Sequence, residues 1–317
     1  MLYRILKVWV KFCLRIFFRR IIVTKPALLS ANGPLLIAAN HPNSFLDALI
    51  IDVLFKQPVW SLARGDVFKN KKVVRLLTSL RILPVYRISE GVENLNTNYE
   101  TFDACQEIFR RNGLVLIFSE GLCVNEWHLR PLKKGTARLA LSSWNEGIPL
   151  QVLPVGINYS KFFDIGQDVY VHIGRPLTKA TLSWPDSDGN LNRRFNEMLF
   201  ERMQPLVYEI DHQPGETPAS LRQPASLLKK VALAIPASLG WLLHLPLYLP
   251  IFLLAKNKAH GTGHFDSILA ALLILAYPFY LLLAIVLLVL FTGEMLACLP
   301  ALPMPLLAKC FIEIKKQ

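Results

Sequence analysis

The chain has 317 residues, 53% of them hydrophobic, and 35 lysines and arginines against 23 aspartates and glutamates give it a formal net charge of +12. That length holds one large domain or two, and the mostly apolar composition beyond about Leu221 excludes an ordinary soluble domain for the whole chain. The positive charge gathers near the start and no aromatic-lined basic groove is evident, which argues against a nucleic-acid binder.

Arg4, Lys7, Lys11, Arg15 and Arg19 recur at helical spacing opposite Leu6, Val8, Val10, Leu14, Phe17 and Phe18, and no acidic residue precedes Asp47. Residues 1–24 are therefore expected to form a basic amphipathic helix on an anionic membrane surface. A packing helix whose basic residues are simply its wet face is the other reading.

Pro26 to Pro34 reads as a connector and Leu35 to Ala39 as a buried strand. Asn40-His41-Pro42-Asn43-Ser44-Phe45-Leu46-Asp47 follows. Pro42 biases His41 away from helical backbone, so His41 is expected at the strand's exit. Asn43 or Ser44 can cap a helix, and Asp47 in its first turn leans back toward His41. A capping box of Ser44 and Asp47 beside an ordinary loop histidine explains the same spacing.

Val59 to Ala63, Ile82 to Tyr86, Leu114 to Phe118, Leu150 to Asn158 and Val169 to Ile173 read as further strands. Helices are expected from Phe45 to about Phe55, Lys71 to Leu80, Tyr99 to Arg111, Thr136 to Ser143 and Asn190 to Ile210. The alternation predicts an α/β layered domain with a mixed or largely parallel sheet over residues 25–212. His41, Arg64, Arg87 and Glu120 all fall at strand exits, where such sheets build their sites.

Residues 213–230 read as a linker, and 231–317 as a membrane-embedded helical region. Within it Val231 to Ala255 and Ile268 to Phe291 are long enough to span a bilayer, a C-terminal hydrophobic hairpin. Pro236, Pro246 and Pro250 allow a bent or interface-lying helix in the first of them. Lys229 and Lys230 at one end and Lys256 and Lys258 at the other give the positive-inside rule little asymmetry to act on. His260 and His264 flank two glycines and read as a connecting turn rather than a metal site. The five cysteines show no paired spacing, as expected of reduced thiols in a cytoplasmic setting.

A histidine held by an aspartate, with no Gly-x-Ser-x-Gly elbow, suggests that the nucleophile belongs to the substrate. His41 would take the proton from a substrate hydroxyl as it attacks an acyl carbonyl, and Asp47 would fix the imidazole tautomer. Arg87, Arg130, Lys133 and Lys134 could hold a phosphate.

Four ordered blocks carry a resemblance. They are Asn40-His41 with Asp47, Arg81-Ile82-Leu83-Pro84-Val85-Tyr86-Arg87, Ile117-Phe118-Ser119-Glu120-Gly121 followed by Pro131-Leu132-Lys133-Lys134-Gly135, and Val152-Leu153-Pro154-Val155. Together they resemble the glycerophospholipid acyltransferases, the membrane enzymes that acylate glycerol 3-phosphate or its lysophospholipid products. The resemblance implies an αβ-domain with an acyl groove, no metal and no cofactor. Its implied partners are acyl-CoA or acyl carrier protein, glycerol 3-phosphate or lysophosphatidate, and membrane lipids. It casts His41 as catalytic base and Asp47 as its orienting acid. Arg87 becomes the phosphate-binding arginine, Glu120 and Gly121 the pair associated with the glycerol phosphate, and Pro154 a structural or acyl-pocket residue.

Two departures stand out: five residues separate His41 from Asp47 where four are usual, and Leu122-Cys123 replaces the Thr-Arg of the third block. Arg130 or Lys133 is expected to take that arginine's place. The expected setting is a bacterial inner membrane with the site facing the cytoplasm. The alternatives are an O- or N-acyltransferase for another lipid acceptor, such as a lyso-ornithine lipid, and a non-catalytic membrane-binding scaffold.

Overall fold

The computed structural model describes residues 2–86, 95–182, 190–259, 262–293, 299 and 301–315. Seven strands form one sheet: β1 (Arg20–Val23), β2 (Leu35–Ala39), β3 (Val59–Arg64), β4 (Ile82–Val85), β5 (Leu114–Phe118), β6 (Gln151–Tyr159) and β7 (Asp168–Ile173). Their order is β1-β7-β6-β2-β5-β3-β4, parallel throughout except that β6 and β7 run antiparallel. Nine helices accompany it among the described residues: α1 (Leu2–Phe17), α2 (Phe45–Leu54), α3 (Lys71–Ser79), α4 (Leu95–Arg110), α5 (Lys134–Asn145), α6 (Leu191–Met203), α7 (Leu227–Lys258), α8 (Phe265–Thr292) and α9 (Met304–Ile314).

The middle of the sheet explains the apolar run at β2, all five residues of which are buried. A parallel strand covered on both faces has no wet side to alternate with. Leu35, Ile37 and Ala39 pack with α1, α2 and α8, while Leu36 and Ala38 pack with α4, α5 and α6. His41 leaves the C-terminal end of this central strand. The exits of β3, β5 and β6 open on the same edge, because all three run parallel with β2 or with one another.

The N-terminal helix is shorter than expected. It stops at Phe17, and Arg20–Val23 becomes the edge strand β1, paired in parallel with β7. The cause is burial at the junction: Phe17, Phe18 and Arg19 are all buried, and Arg19 Nε donates to Asp168 Oδ1 at 2.8 Å. Arg19 is thus a buried ion-pair partner and not part of a wet stripe. Upstream, α1 both packs and exposes apolar surface. Trp9 Nε1 donates to the Ile274 carbonyl (3.0 Å) and Lys7 Nζ to that of Phe55 (2.9 Å), yet Leu2, Ile5, Val8 and Phe12 are exposed.

Other boundaries moved for local reasons. The last predicted helix ends at Met203 because Pro205 follows in a 3₁₀ turn, Gln204–Leu206. On α3, Val73, Leu77 and Leu80 form a half-buried row while Val74 and Leu76 are exposed, so its inner face is narrower than the apolar pattern suggested.

The hairpin helices α7 and α8 are both long and apolar enough to cross a membrane, by length and composition. Despite three internal prolines α7 is one helix and starts at Leu227, inside the stretch expected to be linker. The loop before it packs on the sheet domain, where Phe162 N–H donates to the Pro214 carbonyl at 2.8 Å.

Candidate active site

His41 sits where β2 ends. The side chain of the preceding residue, Asn40, anchors that end to β6 by two hydrogen bonds, accepting from Ile157 N–H (2.7 Å) and donating to the Ile157 carbonyl (3.0 Å). The imidazole lies flat on Phe118 at the end of β5, with ring centroids 3.7 Å apart and planes 10° from parallel. Its Nδ1 is 2.9 Å from Asp47 Oδ2, and its side chain is 18% exposed while that of Asp47 is fully buried. An ionised carboxylate can only accept, so Nδ1 carries the proton and the Nε2 lone pair is left for a ligand.

Asp47 is held on both oxygens. Asn43 N–H donates to Oδ2 at 2.7 Å, and the Tyr159 hydroxyl, at the end of β6, donates to Oδ1 at 2.7 Å. The turn itself is bent: Ser44 has φ 52° and ψ −141°, a left-handed-side backbone that costs a non-glycine residue about 1–3 kcal/mol. This bend places six-residue neighbours in contact. The Ser44–Asp47 capping box is absent: Ser44 makes no side-chain cap bond, and the Asp47 carboxylate turns instead to His41, Asn43 and Tyr159.

Glu120 is 4% exposed and braces two loops. Its Oε2 accepts His41 N–H (2.8 Å) and its Oε1 accepts Arg130 N–H (2.9 Å). With both oxygens taken by backbone, its influence on a ligand runs through the loops it fixes. Burial pushes the Glu120 carboxyl up to about 7, with Asp47 adding to the rise against the pull of the two N–H donors. Between about 4.5, where an unfolded glutamate titrates, and about 7 the folded protein keeps a proton that the unfolded chain has lost. Stability from this group therefore falls as pH rises through that window and levels off above it, by on the order of 3 kcal/mol in all. Glu120→Gln removes this dependence. Denaturant titration between about pH 5 and pH 8 should show the wild type losing stability relative to the variant, and a flat difference would refute the raised carboxyl.

Gly121 has φ +65°, and a Cβ there would lie 3.0 Å from Lys133 Cγ, so both backbone and space call for glycine. Lys133 is exposed at the N-cap of α5, its N–H donating to the Ser119 carbonyl at 2.7 Å. Arg130 turns its guanidinium to Glu126. Pro154 is buried within β6 opposite Ala38, a position inside the sheet. Arg87 lies outside the described residues. The structure thus gathers His41, Asp47 and Glu120 into one bonded cluster, with Gly121 and Lys133 beside it.

Four contributors had no local signal. Tyr159 lies 112 residues from Asp47, and Asn40 gave no hint of its clamp on Ile157. Cys123 Sγ accepts Ser44 N–H at 2.9 Å. Burial, then the charge of Asp47, pushes the Cys123 thiol up to about 12, so it braces the turn as a neutral thiol and is no nucleophile. His264, in the α7–α8 turn, has its pKa lowered by burial and then by the nearby charges of His41 and Arg64. Among the described residues no group of three His, Cys, Asp or Glu gathers as a metal site.

The sequence model of the Acyltransferase family matches residues 20–158, a stretch that begins at β1 and ends one residue short of Tyr159. Residues 20–158 belong to the acyltransferase family. No curated protein matches the chain. The crystal structure of the 1-acyl-sn-glycerophosphate (LPA) acyltransferase PlsC from Thermotoga maritima is similar at 16% identity and a TM-score of 0.42, covering 62% of this chain and 77% of that one. Within residues 20–158 of this chain β2 and β5 run in parallel and end side by side, with Ala39 opposite Phe118, which brings His41 and Glu120 together.

Proposed function

We propose that this acyltransferase moves a fatty acyl group from acyl-CoA or acyl carrier protein to a hydroxyl of glycerol 3-phosphate or 1-acylglycerol 3-phosphate. The observation that carries the reading is the partly exposed imidazole held at Nδ1 by a buried, fully bonded Asp47. The acceptor hydroxyl attacks the thioester carbonyl and gives its proton to His41 Nε2. Asp47 stabilises the imidazolium. As the tetrahedral intermediate collapses the C–S bond breaks, and the departing thiolate takes the proton back, leaving an ester and a free thiol. Arg87 and Lys133 recognise the acceptor's phosphate, with Glu120 and Gly121 shaping the loop between them.

Residues 25–212 carry the reaction and the 213–230 segment joins them to the membrane region. The exposed Leu2, Ile5, Val8 and Phe12 of α1, beside Arg4, Lys11 and Arg15, and the apolar α7 and α8 support attachment to an anionic membrane. The setting proposed is the cytoplasmic face of a bacterial inner membrane.

A second reading, an acceptor lipid without a phosphate such as a lyso-ornithine lipid, is favoured by two features of the loop. Leu122-Cys123 stand where the third block's Thr-Arg is usual, and the Arg130 guanidinium is occupied by Glu126. Purified protein offered acyl donor with glycerol 3-phosphate, lysophosphatidate and a lyso-ornithine lipid in competition decides between them by mass spectrometry. Acylated phosphate acceptors are the expected products. Exclusive acylation of the ornithine lipid would replace the first reading by the second, and no product from any acceptor would remove both.

A further inference from the structure

The turn that carries His41 and Asp47 is bonded from outside the acyltransferase domain. Asn43 is its pivot. The Asn43 N–H donates to Asp47 Oδ2, the same oxygen that meets His41 Nδ1. Its side chain and carbonyl both turn to the first turn of α8: Nδ2 donates to Asp266 Oδ2 (2.9 Å), and the carbonyl accepts from Ser267 Oγ (2.8 Å). Asn43, Asp266 and Ser267 are all buried.

Ser267 also caps α2. The first N–H groups of a helix have no partner within it, and an N-cap side chain ordinarily supplies one. Ser44 does not. The Leu46 N–H, second in α2, donates instead to Ser267 Oγ at 3.0 Å. One hydroxyl therefore fixes both the Asn43 carbonyl and the start of the helix on which Asp47 stands.

Asp266 reaches the other oxygen of Asp47 as well, through the β6–β7 connection. Its Oδ2 accepts from Phe163 N–H and Gln167 Nε2, each at 3.0 Å. That connection follows directly on Tyr159, whose hydroxyl donates to Asp47 Oδ1. Both settings of the Asp47 carboxylate thus lead back to one buried side chain more than 200 residues away and beyond the matched stretch 20–158.

We propose that Asp266 and Ser267 are positioning residues for the His41–Asp47 pair, so that the hydrophobic C-terminal hairpin completes the acyltransferase site as well as anchoring it. The proposal rests on the reading of that pair given above. A misplacement of about 1 Å in a catalytic group can cost about 10²-fold in rate. Such a defect acts on the chemical step, so kcat should fall while KM stays.

The test uses the full chain in membranes or detergent, assayed for acyl transfer well below each protein's melting temperature. Ser267→Ala is expected to lower kcat about 10- to 100-fold, with KM for donor and acceptor within about twofold of wild type. Asp266→Ala should do the same, while Asp266→Asn, whose amide oxygen can still accept from Asn43, Phe163 and Gln167, should recover most of the loss. Combining Asn43→Ala with Ser267→Ala should cost little more than the worse single change, because both act through one turn. Should Asp266→Ala fail to fold, Ser267→Ala decides alone, since it removes a single oxygen. A Ser267→Ala protein with kcat within about twofold of wild type, or with KM raised and kcat unchanged, would overturn the proposal. If His41→Ala meanwhile abolishes transfer, the reading of the site stands without it; full transfer by His41→Ala would sink that reading itself.

Discussion

His41→Ala is expected to lower kcat for acyl transfer by about 10²- to 10⁴-fold, the usual worth of a positioned general base. Of His41, Asp47 and Glu120, the imidazole is the side chain that is partly exposed while held in place, by Asp47 at Nδ1 and by Phe118 against its face. Asp47 is fully buried, and Glu120 has both oxygens on backbone N–H groups. The stacked contact with Phe118 and the bond to Asp47 hold the ring, and its removal takes one donor from the carboxylate but leaves it bonded by Asn43 and Tyr159. The variant should therefore fold. Release of free thiol from acyl-CoA, followed continuously with and without acceptor, measures the effect. Residual transfer above about one tenth of wild type would mean that another group accepts the proton.

Asp47→Asn should be comparably severe in rate and worse in stability. An asparagine can present only one oxygen where Asp47 accepts three donors through two. If its amide faces the imidazole, the NH₂ donates to Nδ1, the proton moves to Nε2, and the base points its lone pair the wrong way. An equivalent change in a serine protease triad costs about 10⁴ in kcat through the wrong tautomer, and about 10³- to 10⁴-fold is expected here. If the amide faces Tyr159 instead, a buried hydroxyl loses its acceptor at a cost of about 1–3 kcal/mol. Tyr159→Phe separates the two effects. It leaves Asn43 and His41 on Asp47 Oδ2, so its kcat should fall by about tenfold or less. Thiol-release kinetics beside thermal melts of both variants check this, and equal rate losses would place the tyrosine at the chemical step itself.

Much of this arrangement was legible in the sequence because it depends on short-range rules. The strand run Leu35 to Ala39, the proline after His41 and the helix opening after Asn43 specify a strand exit followed by a tight turn. The described cluster lies there. The α/β alternation was equally plain from strands of four to nine residues separated by helices. What escaped was set by partners far along the chain. Arg20–Val23 reads as the tail of a basic helix until Asp168 and β7 are in place to receive it. The capping box failed because Ser267, over 200 residues downstream, supplies the cap that Ser44 was expected to give. Tyr159 and Asp266 carry no spacing signal toward Asp47, since a hydroxyl at a strand end and an acid at a helix start are each ordinary in isolation. The spacing of the first 24 residues sets one basic face against one apolar face. In the fold, α1 divides three ways, with Leu14 and Phe17 in the core, Lys7 and Trp9 bonded to neighbouring helices, and Ile5 and Val8 outside.

The docking of α1 sets an order of assembly. Trp9 and its partner carbonyl in Ile274 are 265 residues apart, and β1 meets its strand neighbour β7 almost 150 residues later, at Asp168. Contacts of such long separation form late, because the intervening chain must be brought together before they return any energy. A chain made from its N-terminus carries α1 without β7, α8 or α9 for most of its synthesis. During that interval Trp9, Leu14 and Phe17 lack the surfaces that bury them in the finished protein, and a lipid interface is the nearby medium able to shelter an amphipathic helix. An element that emerges long before its partners is thus among the last to be seated.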